Sequence, residues 1–159
     1  MTAPECPLCA KLRSVDALPE HEVVWRFPSG VAFLGTHQFY RGYCVLVSRT
    51  HATELDQLDA EELPEHLAEM CLLAQALGAA FQPRKLNYEL LGNQVPHLHW
   101  HLFPRPHEDP EPLAPVWLAL HRAETDPDLK RRLEGDPAER PAITHRIRQH
   151  LQAQQAPTA

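Results

Sequence analysis

The chain has 159 residues, 43% of them hydrophobic, which suits one domain with a core of its own. Its formal net charge of −6 gives no overall pull toward nucleic acid or an anionic membrane, so any phosphate must be bound by a local site. No apolar run is long enough to span a bilayer, and MTAPECPLCAKL, with acidic Glu5 and no apolar stretch, does not read as a secretory signal; a soluble, cytoplasmic protein is expected.

Cys6-x-x-Cys9 comes first along the chain. In a cytosolic protein this spacing suggests a metal knuckle or a redox pair rather than a structural disulfide. No strand precedes it and no helix clearly starts at it, which argues against a thioredoxin-like role. HEVVWRFPSGVAFLG reads as two short strands around the turn Pro28-Ser29-Gly30, and GYCVLVSRT as a buried strand. Cys44 and Cys71 lie in apolar runs and are expected to be reduced core residues. Leu63, Leu67, Met70, Cys71, Ala74, Leu77 and Phe81 recur at spacings of three and four, predicting a helix with that face buried. Asp59 and Glu62 resemble a capping box, and Pro64, tolerated only in a first turn, puts the helix start near Leu63. KLNYELLGN and PHLHWHLFPR follow as two strands joined by a tight turn at Gly92-Asn93.

From Pro104 onward, the prolines at 104, 106, 110, 112 and 115 mark an irregular segment. Asp126 as N-cap, Pro127 at the first position and Gly135 as a stop predict a short helix. Ile143, Ile147 and Leu151 form the stripe of a last helix, and the tail AQQAPTA is expected to fray. There is no internal repeat.

The stretch His97-Leu98-His99-Trp100-His101 carries the chemistry. On a strand its three histidines share one face, with Leu98, Trp100 and Leu102 on the other. A face meant for packing would use Val or Ile, because buried imidazoles each need partners. Two kinds of chemistry want this pattern. Alternate histidines can hold a zinc ion with an open position. Alternatively, one neutral imidazole attacks phosphorus while a flanking imidazolium holds phosphate oxygens or protonates the leaving group. Spacing does not separate the two.

HLHWHLF matches His-φ-His-φ-His-φ-φ and resembles the signature of the histidine triad (HIT) family of nucleotide hydrolases and transferases. VAFLG…YRGYCVLVSRTHATELDQL looks like the family's core strands and following histidine, and the resemblance covers roughly residues 6 to 105. It implies an α+β, HIT-like fold: an antiparallel sheet of about five strands with a long helix, usually paired into a homodimer. Residues 1–105 would form the HIT domain. Residues 106–159 would be a Pro-rich segment and helical C-terminal extension, packed on the domain or its partner, with Trp117 in the contact and an influence on specificity. The implied activity is hydrolysis of a substituted nucleoside phosphate, such as a dinucleoside polyphosphate or an adenosine phosphoramidate. His99 would attack the α-phosphate, forming a covalent nucleotidyl-histidine, and His101 would contact that phosphate and assist the leaving group. Asn87, Asn93 and Gln94 resemble the amide donors that relatives place around the phosphate, with His97 beside them; Gly-Asn is equally ordinary turn chemistry for Asn93. Some relatives carry a structural zinc, and its ligands would here be Cys6, Cys9, His51 and His97, a closed Cys₂His₂ set. The chain departs from the family at Gly35, where relatives commonly have an acidic ribose ligand; His37 could substitute, and Arg41 could reach a distal phosphate or be a solvated turn residue. A nucleotidyl transferase, a nucleotide-binding sensor with negligible turnover and a metal-dependent hydrolase are the alternatives to a hydrolase.

Overall fold

The computed structural model describes residues 5–155; of the tail expected to fray, 153–155 are helical and 156–159 lie outside the described residues. Five strands, β1 (Val23–Arg26), β2 (Gly30–Leu34), β3 (Cys44–Ser48), β4 (Lys85–Glu89) and β5 (His99–Arg105), form one antiparallel sheet in the order β1-β2-β3-β5-β4. Five α-helices accompany it: α1 (Pro7–Arg13), α2 (Glu62–Phe81), α3 (Val116–Ala123), α4 (Pro127–Glu134) and α5 (Arg140–Gln155).

Strand alternation divides the sheet cleanly. Ala32, Leu34, Cys44, Leu46 and Leu102 face α2 and α5, where Leu73, Leu77, Ile143, Ile147 and Leu151 complete the main core. The opposite face is covered at its two ends only. Val31, Phe33 and Val47 pack with Val15 and the α1 side chains Leu8 and Leu12. Tyr43 and Phe103 pack with Val116 and Leu120 of α3 and Leu133 of α4. Between these covers lies the part of β5 that carries His99 and His101.

The hairpin of β1 and β2 closes as expected, with the Phe27 N–H donating to the Gly30 carbonyl at 2.8 Å. Helix α4 begins and ends as its sequence predicts: Asp126 accepts from the N–H groups of Asp128 and Leu129, and Gly135 ends it. Other expectations change. A helix does start at the C-x-x-C motif, since Cys6 is the N-cap of α1. Cys71 is exposed, not buried, because the buried stripe of α2 runs through His66, Glu69, Leu73, Ala76, Leu77 and Ala80. Two polar residues hide in that stripe for a reason: Glu69 accepts from the Ser29 N–H at 2.7 Å and its hydroxyl at 2.6 Å, and His66 Nδ1 faces the same hydroxyl at 3.1 Å. Only half of the capping box forms. Asp59 accepts from the Glu62 N–H, while the Glu62 carboxylate accepts from the Thr50 hydroxyl instead. The β4–β5 link is not a tight turn but spans residues 90–98, and β5 begins at His99 rather than at His97.

Candidate functional site

The longer β4–β5 link puts the three histidines in two different surroundings. His97, just outside β5, is fully buried and turns its ring away from the cleft. Its Nε2–H donates to the Ser48 carbonyl at 2.8 Å, which leaves the Nδ1 lone pair facing Cys6 Sγ and Cys9 Sγ, each at 3.4 Å, and His51 Nδ1 at 3.1 Å. His51 Nδ1 is also 3.3 Å from Cys9 Sγ. These four ligand atoms all lie within 4.8 Å of one another. A tetrahedron with Zn–S and Zn–N bonds of about 2.3 and 2.0 Å has edges of roughly 3.3–3.8 Å. Four of the donor separations, at 3.1–3.4 Å, lie near the lower end of that range. Two soft thiols, two imidazole lone pairs and a carbonyl that orients one imidazole fit a closed, structural zinc site. It joins the N-terminal helix α1 to the residues after β3 and before β5. Without metal, burial and the neighbouring Cys6 push the Cys9 thiol up.

His99 and His101 stay on the open face, 4.8 Å apart between ring centroids. The His99 Nδ1–H donates to the His97 carbonyl at 2.5 Å, so Nε2 carries the lone pair. His101 Nδ1 is 2.7 Å from the Tyr43 hydroxyl. Burial, with His99 close by, pushes the His101 imidazole down to about 4, so it is neutral at pH 7. Both rings line a cleft of about 610 Å³, the size of a small-molecule site.

Asn93 and Gln94 line the same cleft through the 90–98 link. Asn87 stands apart: its side chain accepts from Arg105 Nη1 at 3.1 Å and is not among the cleft residues. Arg105 is buried and also binds Asp109 and the carbonyls of Glu111 and Ala114, so Asn87 belongs to a node that fastens the Pro-rich segment to β5. Another wall comes from α3, through Trp117, Leu120 and His121, and from its C-cap Glu124. The Trp117 and His101 rings meet nearly at right angles with centroids 5.0 Å apart, and Trp117 donates its indole N–H to Glu89. Nothing in the local sequence marks these α3 residues beyond a tryptophan in a Pro-rich stretch.

Gly35 has a steric explanation. A Cβ there would lie 2.1 Å and 2.2 Å from two Tyr43 ring carbons, so a side chain at this position would have to displace the ring. His37 stacks on the outer side of that ring at 6.3 Å and lines the cleft. Arg41 is engaged elsewhere, in an ion pair with Glu139 at 2.5 Å.

A five-stranded antiparallel sheet with a long helix on one face and paired histidines on the other defines the HIT-like class of α+β folds. The model of the HIT domain matches residues 19–108, and the chain belongs to that family. Solved structures agree. A histidine triad protein from Bradyrhizobium japonicum is 24% identical, with 81% of this chain and 89% of that chain covered and a TM-score of 0.66. A zinc-bound histidine triad family protein from Mycobacterium smegmatis is 18% identical, with 96% and 97% covered and a TM-score of 0.66. A HIT family protein from Bacillus anthracis is 25% identical, with 73% and 83% covered and a TM-score of 0.58. Comparison with curated protein sequences gave no match.

Proposed function

We propose that the protein is a nucleotide hydrolase that attacks the α-phosphate of a substituted nucleoside phosphate, a dinucleoside polyphosphate or an adenosine phosphoramidate. The observation that carries this reading is the His99 Nδ1–H held by the His97 carbonyl, which fixes a lone pair on Nε2 in the cleft. Nε2 attacks phosphorus, an N–P bond forms, and the bond from phosphorus to the leaving oxygen or nitrogen breaks. Water then cleaves the N–P bond, releasing a nucleoside monophosphate and restoring His99. His101 sits beside the attacked centre, and the amides of Asn93 and Gln94 are donors suited to the phosphoryl oxygens as charge develops. The cleft wall of Leu91, Val95, Trp117 and Leu120 supplies apolar surface for a base. Cys6, Cys9, His51 and His97 hold a zinc ion whose contribution is structural, a cross-link that keeps the His97 carbonyl in place.

Intact-protein mass spectrometry tests this. Wild type, mixed briefly with adenylylated substrates and quenched without acid, should gain a nucleotidyl mass that His99→Ala does not. Tight AMP binding with neither adduct nor turnover would instead mark a nucleotide sensor.

A further inference from the structure

Tyr43 is buried beside the cleft and is held by several contacts. Its ring stacks on Phe103 at 3.9 Å and 9°. Gly35 leaves the space in which the ring lies. Its carbonyl accepts from the Gly35 N–H at 2.8 Å and from Gln38 Nε2 at 3.1 Å. Among the described residues, the hydroxyl's hydrogen-bond partner is His101 Nδ1, at 2.7 Å.

We infer that Tyr43 is a positioning residue for His101, donating its O–H to Nδ1 and so holding the imidazole as the tautomer with its proton on Nε2. The argument is one of proton placement. A phenol keeps its proton to about pH 10, and burial pushes that of Tyr43 higher still. A buried O–H needs an acceptor, and Nδ1 is the one within reach. A neutral imidazole has a single N–H, so accepting at Nδ1 leaves it on Nε2.

The two cleft histidines then have opposite settings. The His97 carbonyl can only accept, so His99 offers a lone pair. The Tyr43 hydroxyl donates, so His101 offers an N–H. One acceptor and one donor stand 4.8 Å apart. On the phosphoryl-transfer reading, which this inference deepens, His101 stabilises a phosphoryl oxygen or the leaving atom as a neutral hydrogen-bond donor, not as an imidazolium. Protonating Nδ1 would force the Tyr43 O–H to lose its acceptor, so the same contact holds His101 neutral. Other titratable groups around His101 are His99 on its own strand, Glu89 across from it on β4, and His37, His121 and Glu124 in the cleft.

Long-range ¹H–¹⁵N correlation on protein labelled at histidine reads the tautomer directly, with the His101 signals assigned by their loss in His101→Gln. At neutral pH, Nε2 should carry the proton and Nδ1 should show an unprotonated, accepting nitrogen. Tyr43→Phe keeps the ring and its stack; it should shift His101 toward the Nδ1–H form and lower kcat about 10- to 100-fold, with KM and melting temperature little changed. A wild-type His101 protonated on Nδ1 would overturn the inference, and so would a tautomer that Tyr43→Phe leaves unchanged. Failure of the phosphoryl-transfer reading looks different: no nucleotidyl adduct in a protein whose His101 does carry its proton on Nε2.

Discussion

Gly35 and Tyr43 show how much one missing side chain can decide. The tyrosine ring occupies the space in front of position 35, and the ring in turn reaches His101. Restoring an acidic group there is therefore not a simple gain of a ribose ligand. Gly35→Asp should cost about 1–3 kcal/mol through overpacking and displace the ring. Thermal melting measures the cost, and a variant as stable as wild type would contradict the packing described. Such contacts were not legible in the sequence, where Gly35 registers only as a departure from a family pattern. The alternation of His99 and His101 was legible, because a strand sends every second side chain to one face. His97 broke that alternation. Its ring is held by the Ser48 carbonyl and faces two cysteines about ninety positions away in the chain, and those partners draw the backbone out of the strand register.

Helix α2 carries the same lesson at the scale of an element. Its existence follows from apolar periodicity, but the buried face is rotated from the one its apolar residues alone suggest. Glu69 and His66 point inward because the β1–β2 turn needs partners for the Ser29 N–H and hydroxyl. Burial raises the Glu69 carboxyl, while the two Ser29 hydrogen bonds act against that rise. Glu69→Ala would leave both Ser29 donors without their acceptor, at a cost of about 1–3 kcal/mol. Denaturant unfolding should show the midpoint lowered; an unchanged midpoint would mean that the turn finds other partners. Helix α4, by contrast, is written locally: Asp126, Pro127 and Gly135 act within one or two turns of their own positions, so its limits could be read directly.

On the scale of the whole molecule, the metal cluster and the cleft are back to back. His97 gives its side chain to the Cys₂His₂ cluster and its carbonyl to His99, so the two sites share one residue. Chelation of the purified protein should lower its melting temperature and loosen α1 before it affects binding in the cleft; restoring zinc should reverse both. A chelated protein with unchanged melting would show that the cluster does not brace the fold. The C-terminal elements are equally integral. Ile143, Ile147 and Leu151 of α5 fill the core beside α2, and α3 supplies a wall of the cleft.

By itself the sequence determined the five strands, the helices α2, α4 and α5 and the alternation that puts His99 and His101 on one face, because those signals lie in spacing and periodicity along the chain, while the family resemblance pointed to the four residues of the Cys₂His₂ cluster. Only the tertiary structure decided that His97 stands outside β5 and away from the cleft, that Asn87 binds Arg105 instead of lining the cleft, that α3 encloses the site and that Tyr43 touches His101. Each of these depends on residues distant in sequence meeting at hydrogen-bond range, and side-chain spacing along a chain does not encode where a distant donor or acceptor will stand.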